Sequence, residues 1–292
     1  MAKKIGIYVE RNTISNGDQM AGIMRFAHHA QRMGHRSDFL FRADMFKIPE
    51  YDALFIRAFT DPLNSAYVAA RTAQMYGVRV LDDPDSILIC CDKVNMYRHL
   101  MNQSVPIPET LFLDETQLTL AHAQTVFGQL GNPVVLKAPN GSFSMYVEKV
   151  ENAEEFVKVG KKYFRRSDRI VAQRFVRSQF DWRVGMLGGE PLYVCRYSIP
   201  KKHWKIATYQ PDGKTIYGPV KALSIDKVEP KLLEVAKKAA AAIGNGLYGV
   251  DLKQVGDEYI VVEVNDNPTI NAGEEDSQAP ELYERLVRYL VQ

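Results

Sequence analysis

Over roughly its first 85 residues the chain alternates short apolar runs with helical patterns, and that alternation leaves few folds open. KIGIYVE, HRSDFLF, DALFIRA and VRVLDD read as strands. Between them lie the amphipathic DQMAGIMRFAHHAQRMG, closed by Gly34, and a second helix near LNSAYVAARTAQMYG. Strands that alternate with helices form a parallel sheet covered by its own crossovers. No GxGxxG occurs in this part, so the dinucleotide fingerprint is missing.

Beyond residue 85 the pattern changes. DDPDSILICCDKVNMYRHLMNQSVPIPET predicts one helix that opens after Pro84 and closes before Pro106 and Pro108. PVVLKAP, the turn NGSFS, MYVEKV, a helix from about Asn152 to Tyr163 and RIVAQRFV form a β-rich segment. WRVGMLGGEPLYVCRY reads as a hairpin turning at Gly188 and Gly189. The helix EPKLLEVAKKAAAAIG, the strands GLYGVDLKQV and EYIVVEVN and the amphipathic PELYERLVRYLVQ complete the chain. The expected class is mixed α/β (α+β).

Composition narrows the partners. With 37 basic against 35 acidic side chains the formal net charge is +2, so no global field favours nucleic acid or an anionic membrane. The basic run Lys201, Lys202, His203, Trp204, Lys205 is too local to change that. The three cysteines have no metal-ligand spacing and fit a reducing compartment. The N-terminus opens on a strand and no apolar run nears the roughly 18 residues that span a bilayer, so the expectation is a cytoplasmic protein. The six histidines form no cluster and no GxSxG elbow occurs.

The last two strands raise the sharpest chemical question. A three-residue loop centred on Asp257 pairs Val255 with Tyr259 and sets Asp251 opposite Glu263, with Asn265 on the same face. Val250, Leu252, Val262 and Val264 then supply the core face. Two close carboxylates need a cation or a shared proton, and oxygen-only ligands suit Mg²⁺. Alternatively the acidic face is plain hairpin surface, and a two-residue loop would put Asp251 against Val262 instead.

Lys137 ends the apolar strand PVVLK beside a turn holding Gly141, Ser142 and Ser144. A point charge next to backbone donors suits polyphosphate, though a strand-end lysine also serves as a snorkelling surface residue. Lys93 likewise reads either way, as a phosphate contact or as helix surface. Arg183 shares a strand face with Asp181, where it could clamp a phosphoryl group or simply pair with that neighbour.

In chain order these pieces are a DK-bearing helix, a strand-end lysine, VAQRFV, DWR, GVD and VVEVNDNP. Together they resemble the ATP-grasp superfamily, and within it the RimK-like carboxylate–amine ligases, relatives of glutathione synthetase. The resemblance implies an N-terminal α/β domain over 1–85, a linker helix and central subdomain over 86–172, and a C-terminal subdomain over 173–292 that carries the metal site. It implies ATP held between the two α+β subdomains, with Mg²⁺, two ions by expectation and Mn²⁺ as a substitute. Asp251, Glu263 and Asn265 match the metal ligands. Lys93 and Lys137 match the phosphate lysines, and Ser142 and Asp181 join the nucleotide set. Gln173, Arg174, Phe175 and Val176 match the segment that reads adenine. Arg183 matches the arginine on the acyl phosphate, and Lys205 a basic residue near the acceptor. The implied reaction joins a carboxylate to an amine, on an amino acid or peptide or on a carrier or target protein, with homo-oligomers possible in such a family. A non-catalytic ATP-binding scaffold is the alternative. Arg174 departs from the family, which often has an acidic residue there.

Overall fold

The computed structural model describes residues 1–141, 145–201, 203–209 and 215–292, with the backbone only at 207–209 and 215–217. Three main sheets carry the chain, and the first is parallel throughout. It comprises β1 (Lys4–Tyr8), β2 (Arg36–Leu40), β3 (Ala53–Ile56) and β4 (Arg79–Leu81), in the order β2-β1-β3-β4. Its helices are α1 (Arg11–Ser15), α2 (Gly17–Arg32) and α3 (Ser65–Met75), and Asn16 and Asn64 cap the last two through their side chains. The expected parallel unit is therefore present.

The single helix expected after Pro84 is two helices. Asp83 caps α4 (Pro84–Cys90), with Pro84 in its first turn. Asp92 then caps α5 (Lys93–Asn102), accepting from the backbone N–H of Val94 at 2.9 Å and of Asn95 at 3.1 Å. A side chain that satisfies the orphan N–H groups of a new helix makes a break at Cys91 stable.

The central sheet has the order β5-β8-β6-β7 and is antiparallel. Its strands are β5 (Thr110–Leu113), β6 (Val134–Lys137), β7 (Val147–Val150) and β8 (Ile170–Arg174), with α6 (Leu120–Leu130) and α7 (Ala153–Phe164) on one face. Their core is local: Leu113, Val126, Leu136, Phe156, Tyr163 and Ala172 pack together.

The third sheet runs β13-β10-β9-β14-β15. It contains β9 (Phe180–Leu187), β10 (Glu190–Ser198), β13 (Val220–Leu223), β14 (Leu247–Val255) and β15 (Glu258–Asn265), while β11 (Ala207–Tyr209) and β12 (Thr215–Tyr217) form a separate ribbon. Gly188 and Gly189 turn the β9–β10 hairpin at φ values of +59° and +80°, which a side chain would resist. α8 (Pro230–Ile243) and α5 cover one face through Tyr97, Trp182, Leu232, Val250 and Val261. α9 (Leu282–Val291) returns to the first sheet, so that Ile7, Phe26 and Phe55 share a core with Leu187, Leu247 and Leu286. Among the described residues no helix is long and apolar enough to cross a membrane.

Candidate active site

A two-residue turn and a bulge together build the acidic strand end. Only Gly256 and Asp257 join β14 to β15, and Val255 pairs with Glu258 instead of Tyr259. Left at that register, Asp251 would face Val262. One extra residue in β15 corrects it, because Leu252 pairs with Val261 and Asp251 with Glu263, leaving Val262 outside the ladder. The cross-strand carboxylate pair is thus present through a different turn. Val261, not Val262, supplies the core face, while Val262 lines the cleft. Its carbonyl accepts from the Tyr97 hydroxyl at 2.5 Å and lies 3.5 Å from the Lys137 ammonium.

Each carboxylate is met by a cation. Arg183 is paired with Asp251 across β9 and β14, and its Nε and Nη2 donate to the two carboxylate oxygens at 2.7 Å each. Burial pulls the guanidinium down, but Asp251 carries it well above its ordinary value. Asn265 donates through Nδ2 to the Gly249 carbonyl at 3.2 Å and to Asp251 Oδ2 at 3.1 Å. Gly249 permits this crowding, since a Cβ there would lie 2.8 Å from Pro268 and 3.6 Å from the Arg183 stem. The next residues turn away from the cleft: Asn267 and Pro268 accept from Arg57 at the end of β3.

Lys93 is not helix surface. The Asp92 cap turns it inward, 4% exposed, where Nζ donates to the Gly141 carbonyl at 2.6 Å and stands 3.2 Å from Glu263. Lys137 is buried as well and donates to the Tyr97 hydroxyl at 2.6 Å. Burial pulls its ammonium down to about 8, against the opposing pull of Glu263 and Asp181. Burial pushes the Glu263 carboxyl up, and Lys93, Lys137 and Arg183 bring it below its ordinary value.

The other end of the cleft is apolar, lined by Val135, Val147, Phe175, Val176, Trp204 and Ile206. Phe175 and Trp204 meet edge to face at 5.9 Å. Lys205 lines it too, donating to the Val147 carbonyl and lying 5.0 Å from the Trp204 ring, with burial pulling its ammonium down. Gln173 is buried in the ladder, its Nε2 donating to Thr110 at 2.9 Å. Arg174 reaches the cleft but pairs outward with Glu109 at 2.5 Å, and its backbone N–H donates to the Glu109 carbonyl at 2.9 Å. Asp181 accepts from Ser178 at 3.0 Å and from Lys253 at 2.6 Å.

One cleft therefore gathers Lys93, Lys137, Gln173, Arg174, Phe175, Val176, Asp181, Lys205, Asp251 and Glu263, with Arg183 and Asn265 joined to it through Asp251. Ser142 lies outside the described residues. An apolar slot that ends in buried ammonium groups suits a ligand with a flat ring at one end and a polyanion at the other. Among the described residues no three His, Cys, Asp or Glu side chains could hold a metal by themselves. Asp251, Glu263 and Asn265 carry oxygens of the kind a hard cation takes when water and phosphate complete its shell, with both Asp251 oxygens here engaged by Arg183.

Residues 90–271 match the ATP-grasp domain family. The chain belongs to that family. It is 24% identical over 228 residues to the glutamate–LysW ligase ArgX of Sulfolobus acidocaldarius, covering 75% of this chain and 74% of the relative. It is 25% identical over 243 residues to the α-aminoadipate–LysW ligase LysX of Saccharolobus solfataricus, covering 80% and 82%. The fold is shared with the VanG D-Ala:D-Ser ligase of Enterococcus faecalis, at a TM-score of 0.75 and 12% identity over 100% of this chain and 99% of that one. It is also shared with a RimK domain ATP-grasp protein of Sphaerobacter thermophilus, at 0.69 and 16% over 99% and 100%. The expected resemblance to RimK-like ATP-grasp ligases holds.

Three contributors to this ATP-grasp cleft escaped the sequence reading: Tyr97, Lys253 and the Val262 carbonyl. Two of them left a signal. Tyr97 follows Lys93 by four positions on one helix face, and Lys253 follows Asp251 by two on one strand face. The bulge that exposes the Val262 carbonyl has no sequence mark of its own.

Proposed function

We propose that this chain is an ATP- and divalent-metal-dependent ligase that joins a carboxylate to an amine on an amino acid or peptide. The observation that carries the reading is the meeting of two buried lysines with the Asp251–Glu263 pair at one end of an apolar slot. The adenine ring lies among Val135, Phe175 and Ile206. Because the Arg174 N–H is engaged by Glu109, the ring edge is read beyond it, by the backbone at Phe175 and Val176. Lys93 and Lys137 hold the phosphates. Asp251, Glu263 and Asn265 would hold Mg²⁺, two ions with Mn²⁺ able to substitute, and the metal would supply neutralisation of charge on the phosphate oxygens.

The substrate carboxylate attacks the γ-phosphorus, and ADP departs, giving an acyl phosphate. Lys137 and Arg183 face the charge that builds on the transferring oxygens, a matter of positioning and electrostatics. An amine then attacks the acyl carbon and phosphate leaves, giving the amide. Lys205 lies on the apolar end beside Val147 and Trp204, so the acceptor contact that the resemblance implied is not assigned to it, and closure of the central subdomain keeps water off the intermediate. We take residues 1–85, 86–172 and 173–292 as the three domains, one for each main sheet, with α4 (Pro84–Cys90) and the central sheet's β8 (Ile170–Arg174) running across the two boundaries. The three free cysteines support a reducing, cytoplasmic setting. A non-catalytic scaffold would leave this charged set without a task.

The LysW ligases among the relatives make a protein-borne substrate worth including in the test. ADP release with Mg²⁺ and ATP would be measured against pools of amino acids, dipeptides, peptide C-termini and small carrier proteins, with mass spectrometry of any product. Release that needs both a carboxylate and an amine, and that Glu263→Gln abolishes, supports the ligase. ATP hydrolysis or a phosphorylated product that no amine consumes would sink it.

A further inference from the structure

Two ion pairs of opposite polarity lie side by side on the site face of the third sheet. β9 supplies Asp181 and Arg183, and β14 supplies Lys253 and Asp251. The pairing of Arg183 with Asp251 and of Trp182 with Leu252 brings Lys253 opposite Asp181. The first pair belongs to the metal end. The second lies one step farther along the face, beyond the Phe175–Val176 segment in the chain.

This second pair is a closed triangle. Lys253 Nζ donates to Asp181 Oδ1 at 2.6 Å and to Ser178 Oγ at 2.8 Å, and Ser178 Oγ donates to the same Oδ1 at 3.0 Å. Both charged side chains are nearly buried, 12% and 13% exposed, and both line the cleft. A carboxylate so held has one oxygen engaged and its rotamer fixed, while Oδ2 has no protein partner among the described residues. Such an oxygen accepts well from a sugar hydroxyl, as the acidic residue of dinucleotide-binding folds does. Lysine rotamers are costly to order, so a lysine spent on an aspartate inside a binding cleft has a use beyond surface pairing.

We propose that Lys253 is a positioning residue that fixes Asp181 to read the ribose hydroxyls of the nucleotide. This rests on the reading of the cleft as an ATP site. Without the ammonium, Asp181 turns toward water and the cleft loses its preference for a ribose over a deoxyribose while still holding base and phosphates.

The test is equilibrium binding of ATP, 2′-deoxy-ATP and 3′-deoxy-ATP with Mg²⁺, which needs no knowledge of the ligase substrates. The wild-type protein should favour ATP over at least one deoxy form by about tenfold, as expected for one hydrogen bond to a charged acceptor. Lys253→Met should bring that ratio close to one, and Lys253→Arg should keep most of it. Asp181→Asn should remove the preference alone, and should remove nothing further when combined with Lys253→Met. If Lys253→Met melts early, Lys253→Gln takes its place and should likewise bring the ratio close to one. An unchanged ratio in Lys253→Met, or an equal loss for all three nucleotides, overturns the assignment and leaves the ligase reading standing. Failure of the wild-type protein to bind any of them overturns both.

Discussion

The two ends of the chain and its middle are held together in different ways. The first sheet, the third sheet and α9 merge into one core, in which Ile7 and Phe55 touch the same cluster as Leu247 and Leu286. The central sheet keeps a core to itself, drawn wholly from residues between Leu113 and Ala172. Its join to the rest combines polar contacts, Lys137 on Tyr97, the Lys93 N–H on the Pro139 carbonyl at 2.9 Å and Arg169 on Asp92 at 2.5 Å, with an apolar link made by Val171 and Phe112. A welded base and a separately cored middle can open along that seam without unfolding either part. The cleft lies on the seam, which is where a nucleotide can enter and be enclosed.

The sharpest way to break this comparison is a cavity in each core. Phe156→Ala should cost about 3–5 kcal/mol, and hydrogen exchange should quicken between residues 111 and 172 while Leu247 and Leu286 stay protected. Leu286→Ala should cost about 2–5 kcal/mol and loosen β1, β3 and β14 together. Equal loss of protection across the whole chain in both variants would mean that there is one core.

The charges on the seam come next in size. Glu263→Gln removes a proposed metal ligand and leaves Lys93 buried beside a neutral group, so ADP release should fall about a hundredfold or more. Lys137 gives a pH signature. Its ammonium is held at about 8, so the phosphate contact is intact at pH 7 and fades above 8. Nucleotide affinity should fall about tenfold between pH 7 and pH 9, and Lys137→Arg should flatten the curve. Stability moves the other way in the ligand-free protein, because above pH 8 the unfolded chain binds this proton more tightly, so the fold gains as pH rises toward the ordinary lysine value. The smallest effect belongs to Arg174→Ala, which removes an exposed pair with Glu109 and an exposed bond to the Gln129 carbonyl and should change urea stability by less than about 1 kcal/mol.

Much of this was legible in the sequence where local pattern sets structure. The parallel N-terminal unit follows from its strand and helix alternation, and the hairpin at Gly188 and Gly189 from the turn residues. What stayed hidden came from cancelling or non-local effects. A two-residue turn plus a bulge gives Asp251 the same partner as a three-residue turn without one, so the Asp251–Glu263 pair could be anticipated while Val261 and Val262 were exchanged. The break between α4 and α5 rests on Asp92 acting as a cap, which an uninterrupted helical pattern conceals. That break also decides the fate of Lys93, inward instead of outward. The clamp of Arg57 on Asn267 and Pro268 joins positions far apart in sequence, and no periodicity announces such a pair.

The placement of α9 has a consequence for how the molecule is made. Residues Leu282 to Leu290 complete the apolar cluster of β1 and β3, strands that leave the ribosome long before α9 does. At about 5–20 residues per second those strands wait on the order of tens of seconds for their cover. For that interval Ile5, Ile7 and Phe55 present a sticky face, one that a nascent-chain chaperone would be expected to shield until α9 arrives.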